Sequence, residues 1–91
     1  MDYAEVIELG IGLVDGSNRD FRTPTSFVNG TPRAIINGVL YNTEDERFGL
    51  VELSNIDVRL NVAPKEGFSV QFFYRETPVD GSPFDPDGVL P

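Results

Sequence analysis

Ninety-one residues with a net charge of −8 and neither Cys nor His make one small domain that must fold without disulfides or a structural zinc. The same absence removes iron–sulfur clusters and Ser–His or Cys–His catalysis, so any metal would need oxygen ligands, as Ca²⁺ or Mg²⁺. Seven Lys and Arg against fifteen Asp and Glu is the wrong balance for displacing counterions from a nucleic acid backbone.

The first stretch, 3–14, reads as a strand. Ile7, Leu9, Ile11 and Leu13 share one face, and Glu8, Gly10 and Gly12 the other, because successive side chains alternate. Two glycines inside a strand mark a bend or the close approach of another backbone. Asp15-Gly16-Ser17-Asn18 is a turn. A short strand follows at 19–23 with Phe21 inward, then a long connection, 23–32, with two prolines, an Asn-Gly and Phe27 as its anchor.

Asn37-Gly38 between the apolar runs 33–36 and 39–42 predicts a tight hairpin, since both turn residues must take positive φ. Its register sets Ile36 against Val39 and Ile35 against Leu40. The two pairs lie on opposite faces, so the hairpin is apolar on both. A lone subunit would expose one of them unless a loop covers it. The stretch 43–48 reads either as one helical turn, with Thr43 and Glu46 at capping spacing, or, more simply, as a polar loop with Phe48 tucked in. The stretch 50–53 reads as a short strand or as the lead into the next hairpin.

The strongest pattern is 55–74. Ile56, Val58, Leu60 and Val62 alternate with polar residues, and so do Phe68, Val70, Phe72 and Tyr74, apart from Phe73. Each half is a strand with one buried face, and Ala63-Pro64-Lys65-Glu66-Gly67 marks a turn. Both apolar sets share a face if the loop is Lys65-Glu66-Gly67, pairing Val62 with Val70, Leu60 with Phe72 and Val58 with Tyr74. After Glu76 periodicity ends, and four prolines break any ladder. The expected organisation is therefore all-β: a small antiparallel β-sandwich or squat barrel of about six to seven strands over 1–76, with an extended Pro-rich tail over 77–91.

The order of these parts resembles a small β module recurrent in structural proteins of tailed-bacteriophage virions. The matching parts are Asp15-Gly16-Ser17-Asn18-Arg19-Asp20-Phe21-Arg22-Thr23, then Thr31-Pro32 leading to a strand ending in Asn37-Gly38. Phe48 follows, then a strand closing in Ala63-Pro64, Gly67, and a last strand ending in Tyr74. The likeness spans about 15–75. Glu46-Arg47-Phe48 stands where the family usually has Asp-Tyr, and Phe68 where Asp often follows the turn glycine. The resemblance implies a structural role in a tail, fibre, neck or head surface.

Candidates for chemistry are sparse. Glu44, Asp45 and Glu46 are adjacent carboxylates without Ca²⁺-loop spacing, and a solvated loop is the simpler reading. Asp80, Asp85 and Asp87 sit among Pro and Gly as turn formers do. No carboxylate pair belongs to a recognisable glycosidase motif, and no cofactor is expected. Tyr3, Tyr41, Tyr74, Phe68 and Phe73 could stack on a sugar; Tyr74 and Phe68 read as core, leaving Phe73 as the outward aromatic.

The expected function is thus non-enzymatic: adhesion to other virion proteins and to copies of the same chain, in neck, tail or fibre assembly. The expected contact residues are Ile36, Val39 and Phe73 on the body and Phe84, Val89 and Leu90 in the tail. Head decoration and binding of a host-surface glycan are the alternatives. Apolar runs are too short to cross a membrane. The start, Met1-Asp2-Tyr3-Ala4-Glu5, lacks the basic-then-apolar order of a signal peptide. The expected location is the virion, assembled in the host cytoplasm.

Overall fold

The computed structural model describes residues 4–77. They form seven strands: β1 (Ala4–Leu9), β2 (Asp20–Arg22), β3 (Arg33–Ile36), β4 (Val39–Leu40), β5 (Leu50–Glu52), β6 (Asp57–Leu60) and β7 (Val70–Glu76). A four-stranded sheet runs in the order β1-β7-β3-β4 and a three-stranded sheet in the order β2-β6-β5. Every pairing is antiparallel. The chain is all-β, with its core between the two sheets. The expected tail lies outside the described residues, save Thr77.

The Asn-Gly hairpin has the register the turn dictates. Ile36 pairs with Val39 and Ile35 with Leu40, around Asn37 at φ 52° and Gly38 at φ 83°. That backbone suits a two-residue turn whose twist matches the strands.

The expected pairing of 55–62 with 68–74 is corrected. β6 and β7 belong to different sheets, so Val58 and Leu60 meet Val70, Phe72 and Tyr74 across the core instead of along a ladder. The connection passes through a buried Pro64, whose carbonyl accepts the N–H of Gly16 at 3.0 Å. It is an arch from one sheet to the other. Val62, expected inside, is exposed, because the ladder stops at Leu60.

The strand β1 joins both sheets. It pairs with β7 along its whole length, from Ala4↔Glu76 to Leu9↔Gln71. Gly10 then donates to the Val70 carbonyl at 3.0 Å, and Ile11 exchanges two hydrogen bonds with Arg22 of β2, at 2.8 and 2.9 Å. The glycines have a steric reason. A Cβ on Gly10 would stand 2.5 Å from the Phe72 ring, and one on Gly12 would stand 2.8 Å from the Phe21 ring. The glycine side of this segment therefore faces inward, and its aliphatic side faces out.

The loop between β2 and β3 closes one end of the sandwich. Phe27 is buried and meets Tyr74 edge-on at 6.2 Å. Its N–H donates to the Asn55 carbonyl, and the N–H of Val28 donates to that of Arg75, so the loop ties the β5–β6 connection to β7. Buried Thr23 donates its hydroxyl to the Thr25 carbonyl at 2.7 Å, and the Thr25 hydroxyl meets the Tyr74 hydroxyl at 2.8 Å. The phenol of a fully buried Tyr thus has its partner.

Two of the loops are held by carboxylates. Asp15 Oδ1 accepts the N–H groups of Ser17 and Asn18, both at 2.9 Å. Asp45 Oδ1 accepts those of Arg47 at 2.8 Å and Phe48 at 3.0 Å. The stretch 43–48 is thus a turn without helix, and Phe48 is buried, packed edge-on against Tyr41 at 5.1 Å.

Candidate interaction face

A sandwich has two outer faces, and here they differ in how they pair charge. On the three-stranded sheet the register sets Asp20 opposite Arg59 and Arg22 opposite Asp57. Both pairs close. Arg59 donates to Asp20 with two nitrogens, at 2.6 and 3.1 Å, and Arg22 Nε donates to Asp57 Oδ1 at 2.9 Å. These ion pairs tie the strands together beside exposed aliphatic side chains: Val51, Ile11, which bridges to Arg22, and Leu53, whose N–H donates to the Asp57 carbonyl.

Among the described residues, the four-stranded sheet carries fewer ion pairs on its outer face. Alternation places Phe72, Ala34 and Ile36 inside, so their neighbours along the strands face out. One outer row runs Ile7, Phe73, Arg33, and the next runs Leu9, Gln71, Ile35, Leu40. Ile7 is 56% exposed, Leu9 66% and Leu40 59%. Ile35 at the centre is nearly covered, yet it is not part of the cluster between the sheets. At the margin, Arg75 faces Glu5 at 3.5 Å, and Arg33 donates to the carbonyls of Gly30 and Pro32 at 3.1 and 3.0 Å. An apolar patch bordered by charge at one end suits a protein interface, whose core is apolar and whose margin is polar.

The expected contact residues are redistributed. Phe73 lies on this face and is partly exposed. Ile36 is a correction. It is 2% exposed and belongs to the core, because the inner side of β3 carries Ala34 and Ile36. Val39 is exposed but pairs with Ile36 on that inner side, so it shares no surface with Phe73. Phe84, Val89 and Leu90 lie outside the described residues. The sequence reading missed Ile7, Leu9 and Leu40 as contact residues. The available signal was the glycine pair, whose need for the inner face forces the aliphatic side of the strand outward.

No acidic cluster gathers into a cation site among the described residues. Glu44 and Glu46 are exposed, and Asp45 is engaged by backbone N–H groups. Compared with protein-family models, with curated proteins and with solved structures, the chain matches none.

The surface carboxylates predict an acid response. The Phe48 and Arg47 N–H groups hold Asp45 below the ordinary carboxylate range, as those of Ser17 and Asn18 hold Asp15. The Arg59 guanidinium does the same for Asp20, and Arg22, then Ser54, for Asp57. A group whose folded pKa is depressed contributes stability above its unfolded value, near 4 for Asp, and loses it as pH falls through the folded value. In 0.5 M salt, which screens the long-range repulsion of a −8 chain to about 4 Å, the urea midpoint is expected to be flat down to about pH 5. It should then fall progressively below about pH 4. A midpoint that rises on acidification in that salt would contradict these assignments.

Proposed function

We propose that this chain is a non-enzymatic structural protein of a tailed-bacteriophage particle. It works by adhesion, binding other virion proteins and copies of itself through the outer face of its four-stranded sheet, in neck, tail or fibre assembly. The observation that supports adhesion is the apolar outer face of the four-stranded sheet, where, among the described residues, a single ion pair, Arg75–Glu5, lies at the margin. That face spends Ile7, Leu9, Phe73 and Leu40 on the outside. Aliphatic side chains displayed in consecutive rows cost solubility unless a partner covers them. The virion setting rests on the resemblance over 15–75. A sugar-stacking role has less support, because Phe73 is flanked across the strands by Ile7 and Arg33 and not by a ring of hydrogen-bonding side chains.

The test is sedimentation velocity on the full chain from micromolar to millimolar concentration, with and without the double substitution Ile7→Glu and Leu9→Glu. Both positions are exposed, so circular dichroism should be unchanged. The native chain is expected to gain mass with concentration, and the double variant to remain a monomer and to be excluded from particles. A native chain that is monomeric throughout and takes no place in particles would refute the proposal.

A further inference from the structure

Resting on that reading, we infer that the occupant of the outer sheet face is the acidic, apolar segment 78–91 of a neighbouring copy.

Area argues against two faces closing directly on each other. Four strands spaced at about 4.8 Å and about 20 Å long present roughly 400 Å². Two such faces bury about 800 Å², below the roughly 1,000 Å² that a lasting interface needs. A chain segment laid across the face adds its own two sides to that area.

Charge selects the same occupant. The chain as a whole is at −8, yet this face carries Arg33 and Arg75 against Glu5 alone. A two-fold contact would bring each pair of arginines towards its own copy. The segment 78–91 carries Asp80, Asp85 and Asp87 with no Lys or Arg, interleaved with Val79, Phe84, Val89 and Leu90. It offers carboxylates to the rim and apolar side chains to the centre.

The exit point suits a contact between copies. β7 is the second strand of this face, and it is held to its last residue. Glu76 pairs with Ala4 on one side and Phe27 on the other, and the Thr77 N–H donates to the Ser26 carbonyl at 3.0 Å. β7 therefore ends at the end of the sheet opposite the row of Leu9, Gln71, Ile35 and Leu40. Fourteen residues extended at about 3.3 Å each reach about 46 Å, more than twice the length of the face. The contact is head-to-tail, so it builds rings or chains of copies and not closed pairs.

Complementation between full-length variants tests this. One carries Ile7→Glu and Leu9→Glu, spoiling the face; the other carries Phe84→Ser and Leu90→Ser, spoiling the segment. Each alone is expected to be monomeric, with association at least about tenfold weaker than native. Mixed in equal amounts, they should form a one-to-one complex that grows no further, because one sound face meets one sound segment. Added salt should weaken it, as Asp–Arg contacts are screened. Three outcomes overturn the inference: a segment variant that associates like the native chain, a mixture that stays monomeric, or growth of the mixture beyond two copies. If the segment variant associates while the face variant does not, adhesion through this face survives and only the occupant is wrong. If neither variant changes the association, both readings fall.

Discussion

Replacing Phe72 with Ala is expected to cost about 3–5 kcal/mol and to leave much of the chain unfolded at 25 °C. Domains hold only about 0.05–0.15 kcal/mol per residue in total. Phe72 is fully buried on β7 and meets Phe21 of the opposite sheet at 6.1 Å between ring centres. Its cross-strand neighbour on β3 is Ala34, and the backbone of Gly10 passes directly above its ring. Neither has a side chain that could move into the vacated space. The cavity therefore stays open, which is the costly end of the large-to-small range. Urea unfolding followed by circular dichroism measures the loss. A cost under about 1.5 kcal/mol would mean that the site collapses, and that the glycine and alanine do not define it.

Adding one methyl group at Gly49 is expected to cost about 3 kcal/mol, near the top of the usual overpacking range. The new Cβ would stand 2.5 Å from the Asp45 carbonyl oxygen and 2.8 Å from the Asp45 nitrogen, and also against the Thr43 carbonyl. All three obstacles are backbone, so no side-chain rotation relieves them. The loop would have to retreat, breaking the bond from the Gly49 N–H to the Asp45 carbonyl at 3.1 Å. It would also loosen the Asp45 contacts that seat Phe48 against Tyr41. Thermal unfolding of Gly49→Ala beside Glu46→Ala, an exposed change in the same loop, separates this cost from a general loop effect. Equal melting temperatures for the two would refute it.

Side-chain alternation announced which residues point inward far better than which strands lie together. Val58, Leu60, Val70, Phe72 and Tyr74 are all core, as a period of two requires. Yet the same alternation suits a ladder partner and a partner across a sandwich, and 58–60 and 70–74 are the latter. A local signal worked where the turn itself fixes the register, at Asn37-Gly38. It failed across 61–69, where the choice between hairpin and arch is made by distant contacts, the Gly16–Pro64 hydrogen bond among them. The interaction face was half legible. Phe73 stands out as the off-phase aromatic of its strand. Ile7 and Leu9 look like ordinary strand residues until Phe72 and Phe21 claim the glycine side for themselves.

The pairing of Ala4 with Glu76 has a mechanical consequence. Both ends of the described body sit side by side at one end of an antiparallel pair, whose hydrogen bonds lie across the strands. Tension between those ends opens the β1–β7 bonds singly, like a zip, and never loads the ladder in shear. The peel should stall at Gly10, where the chain crosses to the other sheet and Ile11 is latched to Arg22 by two bonds. Under pull the body would surrender its first strand at low force and keep the remaining six until a higher one.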